Sequence, residues 1–291
     1  MKKLLLLLTI LFISTPSYAQ EYIVKVDTDI TKFDNTYIQY LFDNWLLVDS
    51  IQNLDCKYVQ ENYTYTACDF ALDKPALLTG DNMEQIQDVD AIGDKIKIAI
   101  VDSGIDLHNP SLQKYIDKSY NVSQKNEDVQ DDCGHGTHIA GIVTHLSQNK
   151  ILPVKVLDNS GMGKSSDIAM GIRWATDNGA KIINLSLGGV KYDEFMKESI
   201  DYAVEHGCIV VCASGNTYGE KMVYPACYDN VISVGALDKE RNISKYSNRG
   251  DSVDVYAFGD ITSLDLDGGY TQRSGTSMAC AIVSAELSLI F

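Results

Sequence analysis

Five short runs, Ile96–Val101, Leu152–Leu157, Ile182–Leu187, Cys208–Ala213 and Val231–Val234, are rich in β-branched residues and mostly apolar on both faces. A strand with two apolar faces needs cover on both sides, which a parallel sheet flanked by helices provides. The stretches between them read as helices. Ser166 to Asn178 carries Ile168, Ile172 and Ala175 on one face and stops at Gly179; Phe195 to Glu205 stops at Gly207. This alternation predicts an α/β domain over residues 83–291, with a mostly parallel sheet and helices on both faces.

The first 82 residues follow another pattern. Lys2 and Lys3 precede an apolar run from Leu4 to Ile13, and Ser17-Tyr18-Ala19 places small residues at −3 and −1 of a cut after Ala19. This predicts a signal peptide over 1–19, too short in its apolar run to span a bilayer, and a secreted or periplasmic product with no membrane contact after its removal. Residues 20–82 predict a small α+β module in strand–helix–strand–strand order. Tyr22, Val24 and Val26 alternate as in a strand, and Tyr37, Ile38, Tyr40, Leu41, Trp45 and Leu46 recur at helical spacing behind Asn35 as N-cap. The Pro-, Gly- and Asp-rich stretch from Lys74 to Asp94 reads as a linker.

A net charge of −16 disfavours nucleic acid or an anionic membrane as partner. Export permits disulfides, but seven cysteines leave at least one unpaired within the chain. Cys56 and Cys68 could staple a hairpin. Cys208 and Cys212, about 13 Å apart along one strand, are too distant to bond to each other.

Asp102 ends the first apolar run, at the strand edge where open parallel sheets bind ligands. Gly134-His135-Gly136-Thr137-His138 then opens a helix, with His135 placed as a general base and His138 packing one turn on. A zinc site would need a second ligand at another spacing and a carboxylate, so no metal is expected there. Ser274-Gly275-Thr276-Ser277-Met278-Ala279 sets Ser277 at a helix start, where backbone N–H groups can face an oxyanion. It is not the Gly-x-Ser-x-Gly elbow of an esterase, because Ala279 stands two residues on. Ser214-Gly215-Asn216 closes another strand, and its Asn216 carboxamide could donate to the same oxyanion.

With Asp, His, Asn and Ser in that order, the chain resembles the subtilisin-like serine proteases, the subtilases. The resemblance rests on Ile98–Asp106, Gly134–Gly141 and Gly275–Ala279, and on Ile183–Gly189, Tyr224-Pro225-Ala226 and Val231–Ala236 as further landmarks. It implies a serine endopeptidase in which Asp102, His135 and Ser277 form the triad and Asn216 completes the oxyanion hole. Ser186, Leu187 and Gly188 on one side and Gly161 and Gly163 on the other resemble the edges that pair an extended polypeptide substrate, with Ser214 and Gly215 nearby. Glycine there would let the substrate backbone approach. The module over 20–82 resembles the family's propeptide in place and size, an intramolecular inhibitor removed by self-cleavage.

Some features depart from the family. Only 14 residues follow Ser277, Cys280-Ala281 replaces Ser-Pro, and Phe258 interrupts Ala-Pro-Gly. Ser111 stands where many relatives carry a calcium-binding Asp, so no cofactor is expected and no calcium site is assured. The acidic loop of Glu127, Asp128, Asp131 and Asp132 reads as solvated rather than cation-binding. Cys133 and Cys280 lie close enough to the triad in sequence to raise thiol sensitivity, with Cys280 expected to be inert. The competing reading is a catalytically impaired homologue that only binds peptides.

Overall fold

The structure is a computed structural model describing residues 21–26, 38–42, 45–48, 57–68, 70–71, 96–219 and 223–291. It forms two compact units that divide between Glu61 and Asn62, ahead of the compositional boundary at 82. The signal sequence, Cys56 and the Lys74–Asp94 linker lie outside the described residues.

The first unit is a four-stranded sheet of β1 (Tyr22–Lys25), β2 (Ile38–Tyr40), β3 (Trp45–Val48) and β4 (Tyr58–Glu61), in the order β2-β3-β1-β4. The strand expected from Tyr22 is present. The helix expected over Tyr37–Leu46 is not: β2 and β3 pair antiparallel there, Ile38 opposite Val48. The connection closes through Leu41 N–H to Trp45 O and Trp45 N–H to Phe42 O. Tyr, Ile, Trp and Val favour strands, and the Asp43-Asn44 pair between the two runs is turn chemistry. Spacing over ten residues cannot tell such a hairpin from a short helix. Val24, Val26, Leu46 and Val48 form this unit's own small core.

The second unit is built on seven parallel strands. From the middle, β7 (Lys97–Asp102) lies between β11 (Ala180–Leu185) and β9 (Lys150–Lys155). Outward from β9 comes β8 (Tyr120–Asn121), which follows a single helical turn, α1 (Pro110–Gln113). Outward from β11 come β13 (Ile209–Ala213), β14 (Ile232–Leu237) and β15 (Val255–Phe258). Alternate side chains serve different layers. Ile98, Ile100, Ile182, Val211 and Ala213 join one core with residues of α2 (His135–Ser147) and α5 (Thr276–Ser288). Val101 and Val154 face α3 (Ser165–Asp177), where Gly171 lets the helix approach: a β-carbon on it would meet Val154 at 3.0 Å. α4 (Glu194–Glu205) packs beside α3. The predicted α/β architecture is therefore present, with strand bounds displaced by one to three residues.

Two details of the packing position the site. α2 and α5 are each 13 residues long, pack along each other, and are joined at their C-terminal ends by Asn149 Nδ2 donating to Ser288 Oγ at 2.8 Å. They therefore run in the same direction, and their N-termini, carrying His135 and Ser277, lie at one end of the pair. The predicted strand to Leu187 breaks at Ser186, and Leu187–Gly188 (β12) leaves the main sheet for a three-stranded one. There β5 (Thr64–Ala67) lies between β12 and β10 (Met162–Lys164), antiparallel to both. Beyond it β6 (Phe70–Ala71) pairs with β17 (Tyr270–Ser274), which also pairs with β16 (Asp260–Leu264).

Candidate active site

Asp102 is the last residue of β7 and is fully buried. Its Oδ1 lies 2.7 Å from His135 Nδ1 and accepts the Ser103 N–H at 2.7 Å. With Nδ1 committed to the carboxylate, the imidazole tautomer that carries a proton there leaves Nε2 to act as base.

The start of α2 is held by Asp131, which belongs to the acidic loop expected to be solvated. It is instead buried, and its two oxygens accept from Ser103 Oγ, Cys133 N–H, Gly134 N–H, Thr137 N–H and Thr137 Oγ at 2.6–3.0 Å. Burial by itself would raise the Asp131 carboxyl, but the hydrogen bonds from Thr137, Gly134 and Cys133 outweigh it and hold the group below the ordinary carboxylate value. Ser103 Oγ also accepts the Gly136 N–H at 2.9 Å, so the residues flanking Asp102 and His135 are tied directly together. Asp132 is paired with Lys155 at 2.7 Å. Among the described residues no three His, Cys, Asp or Glu side chains gather as a metal site.

Ser277 begins α5. Its hydroxyl donates to the Ser186 carbonyl at 2.9 Å and not to the imidazole, while Ser186 Oγ donates back to Ser277 O at 3.0 Å. Asn184 Nδ2 donates to Ser186 Oγ at 2.9 Å and orients it. Asn216 follows β13. Its Oδ1 accepts from both Thr276 N–H and Thr276 Oγ at 3.0 Å, which forces Nδ2 to the other side. Ser214 and Gly215 support this loop and do not themselves touch the β5 segment by hydrogen bond: Gly215 N–H donates to Thr276 Oγ at 3.1 Å, and Ser214 O accepts from Asn248 Nδ2 at 2.9 Å.

The groove between β10 and β12 is filled by the chain itself. Ala67 pairs with Leu187, and Thr66 with Gly188 on one side and Met162 on the other. Ala67 N–H donates to Gly161 O at 2.9 Å and Cys68 N–H to Ser186 O at 3.1 Å. The Cys68 carbonyl oxygen then accepts from Asn216 Nδ2 at 2.7 Å and from Ser277 N–H at 3.2 Å. The edge residues expected from the resemblance thus do hold an extended segment, though two glycines serve other needs. A β-carbon on Gly163 would strike the Val156 carbonyl, and one on Gly188 would strike Val223. Sequence patterns alone do not single out Thr276, Ser103 or the segment Tyr65–Cys68. The last carries only a faint signal in the period-two pattern of Tyr63–Ala67.

Of the two thiols near Asp102, His135 and Ser277 in sequence, Cys280 is buried, with Sγ 3.2 Å from Asn184 Oδ1, and burial pushes it up to about 12. Cys133 is half-buried, and burial raises it as well. His138 packs within α2, its Nε2 3.2 Å from Thr271 O.

A buried Asp–His pair at the rim of a parallel sheet, beside a helix-initial serine whose N–H joins an Asn carboxamide on one carbonyl oxygen, is the layout of a serine acyl-transfer site. Comparison with known proteins agrees. Residues 93–291 match the Subtilase family, and the chain belongs to that family. It is 38% identical over 206 residues to the thermophilic serine proteinase of Bacillus sp. (strain AK1), covering 67% of this chain and 51% of that one. It is 40% identical over 208 residues to the cell wall-associated protease of Bacillus subtilis (strain 168), covering 67% of this chain and 23% of that one. Thermitase of Thermoactinomyces vulgaris is 38% identical over 212 residues, 69% of this chain and 76% of that one. The chain thus spans about half of the first relative and a quarter of the second. A crystal structure of a cold adapted subtilisin-like serine proteinase superimposes with a TM-score of 0.65 at 29% identity, over 70% of this chain and 77% of that one.

Proposed function

We propose that the chain is a secreted serine endopeptidase made as a self-processing precursor, and that its first cut falls after Cys68. One observation carries this reading: Asn216 Nδ2 and Ser277 N–H both donate to the Cys68 carbonyl, beside the Ser277 hydroxyl. In this reading that hydroxyl leaves Ser186 O and donates to His135 Nε2. Ser277 Oγ then attacks the Cys68 carbonyl carbon as its proton passes to Nε2, and Asp102 stabilises the imidazolium. Negative charge forms on the Cys68 oxygen, where the two donors already converge. Collapse breaks the Cys68–Asp69 bond, and the imidazolium proton goes to the departing Asp69 amine. Water, deprotonated by the same imidazole, then hydrolyses the acyl-enzyme.

Residues ahead of Asp69 act in this reading as a propeptide, and Tyr65–Cys68 as an inhibitor until they leave the groove. Foreign extended polypeptides take their place between β10 and β12. No metal or other cofactor is required by any step. Among the described residues no helix is long and apolar enough to cross a membrane, and export rests on the leader read from residues 1–19.

The test is the mass of the purified protein with time. The wild-type chain should yield a fragment beginning at Asp69, and Ser277→Ala should stay whole. A Ser277→Ala chain that is still cut in isolation would sink self-processing. A wild-type chain that neither cuts nor takes a fluorophosphonate on Ser277 would favour the peptide-binding homologue.

A further inference from the structure

We propose that Ser284, two turns along α5 from the nucleophile, is a positioning residue for the cleavage reaction. Its hydroxyl supplies the hydrogen bond that a cysteine at position 280 gives only weakly, and so keeps Asn184 and Ser186 aligned on Ser277. This rests on the endopeptidase reading above and goes beyond it by giving a role to a residue remote from the bond that is cut.

Ser277, Cys280 and Ser284 stand at i, i+3 and i+7 of α5, on one face of the helix, and all three are fully buried. That face meets Asn184 near the end of β11, also fully buried. Ser284 Oγ donates to Asn184 Oδ1 at 3.0 Å. Hydroxyls inside the other helices behave differently. Thr144 and Ser147 in α2, Thr176 in α3 and Ser199 in α4 turn back to the carbonyl four residues earlier, at 2.7–3.2 Å. Ser284 instead gives its proton to a side chain of another element.

The bond has a consequence at the nucleophile. With Oδ1 held by α5, the Asn184 amide presents Nδ2 to Ser186 Oγ at 2.9 Å. A hydroxyl that accepts from an amide keeps its own proton for another partner, and Ser186 gives it to Ser277 O at 3.0 Å. The main-chain carbonyl of Ser186 meanwhile accepts from the Cys68 N–H at 3.1 Å. One residue therefore grips both the nucleophile and the segment to be cut. It sets the reach of the Ser277 N–H to the Cys68 carbonyl, which is 3.2 Å.

Cys280 alone does not fix the amide. Its Sγ lies 3.2 Å from Asn184 Oδ1, but Val211 O and Leu185 O also lie within reach, at 3.4 and 3.9 Å. A thiol is a weak donor, and this one has a single proton for three acceptors. Cys280 replaces the Ser of the family pattern, and the hydroxyl missing there is present one turn further on, at Ser284.

The test is made in the full chain, by single-turnover cutting after Cys68, and in the mature enzyme with a peptide copying residues 63–71. Ser284→Ala should lower kcat about ten-fold and keep KM within about two-fold of wild type, because the substrate still pairs with the groove while the oxyanion donor is displaced. Adding Cys280→Ser returns a hydroxyl to the Asn184 oxygen and should bring the rate back to within about three-fold of wild type. Unchanged kcat in Ser284→Ala, a loss that Cys280→Ser does not reverse, or a change confined to KM or to the urea midpoint would overturn the proposal. Fluorophosphonate labelling of wild-type Ser277 separates the two levels. If Ser277 is not labelled, the endopeptidase reading fails. The alignment is then read from hydrogen exchange at the Ser277 N–H in the same variants: faster exchange in Ser284→Ala that Cys280→Ser slows again supports it, and no difference overturns it.

Discussion

The carboxamide nitrogen of Asn216 lies 2.7 Å from the carbonyl oxygen of Cys68, a residue 148 positions earlier in the chain. Thr276 fixes the direction of that contact, because both of its donors hold Asn216 Oδ1 and leave only Nδ2 to face the carbonyl. A donor fixed before charge develops costs no reorganisation when it does.

Removing it tests the role. Asn216→Ala should slow cleavage after Cys68 by about 10²–10³, the cost known for the oxyanion Asn of subtilisin. Thr276→Val keeps the carboxamide but frees it to turn, and should lose less. Single-turnover processing rates for both variants check the order. Loss as large in Thr276→Val as in Asn216→Ala would mean the threonine does more than orient.

The two glycines around His135 make a second prediction. Gly134 lies in the left-handed region at φ 86°, and a β-carbon on Gly136 would strike the Gly104 carbonyl, with that residue's N and C at 3.1 Å. All of these are backbone atoms between β7 and α2, so nothing local can yield. Gly136→Ala should cost about 3 kcal/mol and push Asp102 from His135, abolishing activity. Gly207→Ala, also left-handed at φ 79° but with nothing within 4 Å, should cost about 1 kcal/mol and leave activity intact. Urea unfolding in a Ser277→Ala background, free of self-digestion, measures both.

Much of this architecture is legible from the order of residues alone. The apolar runs imply the parallel sheet because two apolar faces admit few alternatives, and α3 and α4 are marked by their periodicity and terminal glycines. Asp102, His135, Asn216 and Ser277 each sit where a strand ends or a helix begins, and local patterning marks such places well. What stays hidden depends on distance in sequence. Asp131 looks like a loop acid until Thr137 and Ser103 close on it. Val223 is unremarkable until it lies between Gly188 and Gly215. The β2–β3 hairpin mimics a helix because the seven apolar and aromatic residues among Tyr37–Leu46 satisfy two periods at once. No composition signal could say that Tyr65–Cys68 would pair with strands a hundred residues away.

Asp131 gives a prediction with a defined pH sign. Its carboxyl is held below the ordinary value near 3.8 in the folded chain, so the folded state binds its proton less readily than the unfolded one. Its stabilisation is complete above the ordinary carboxylate range and is lost as pH falls through and below it. Asp131→Asn keeps the shape but replaces acceptors with an amide, and should cost about 3 kcal/mol at neutral pH. The difference from wild type should shrink as the medium is made more acidic than about pH 4. Unfolding of both proteins across that range, again with Ser277→Ala, decides it; a constant gap would place the effect in packing rather than charge.

Cys133 offers the last. Gly161 separates its thiol from the substrate groove by very little: a β-carbon built on Gly161 would lie 3.6 Å from Cys133 Sγ and 3.5 Å from the Ala67 β-carbon. An adduct on that sulfur would enter the space of the residue two before the cut. Burial, with the nearby Asp102 and Asp131 carboxylates, raises the thiol, although the backbone N–H of His135 opposes them. The reactive thiolate should therefore be scarce at neutral pH and increase only above the ordinary thiol range. Iodoacetamide should inactivate the mature enzyme slowly at about pH 7 and much faster at about pH 9.5, peptide substrate should protect, and Cys133→Ser should be active and resistant. Cys280, fully buried and pushed up to about 12, should stay unmodified in both. Inactivation of Cys133→Ser at the wild-type rate would shift the sensitivity to another group and remove this thiol from the groove wall.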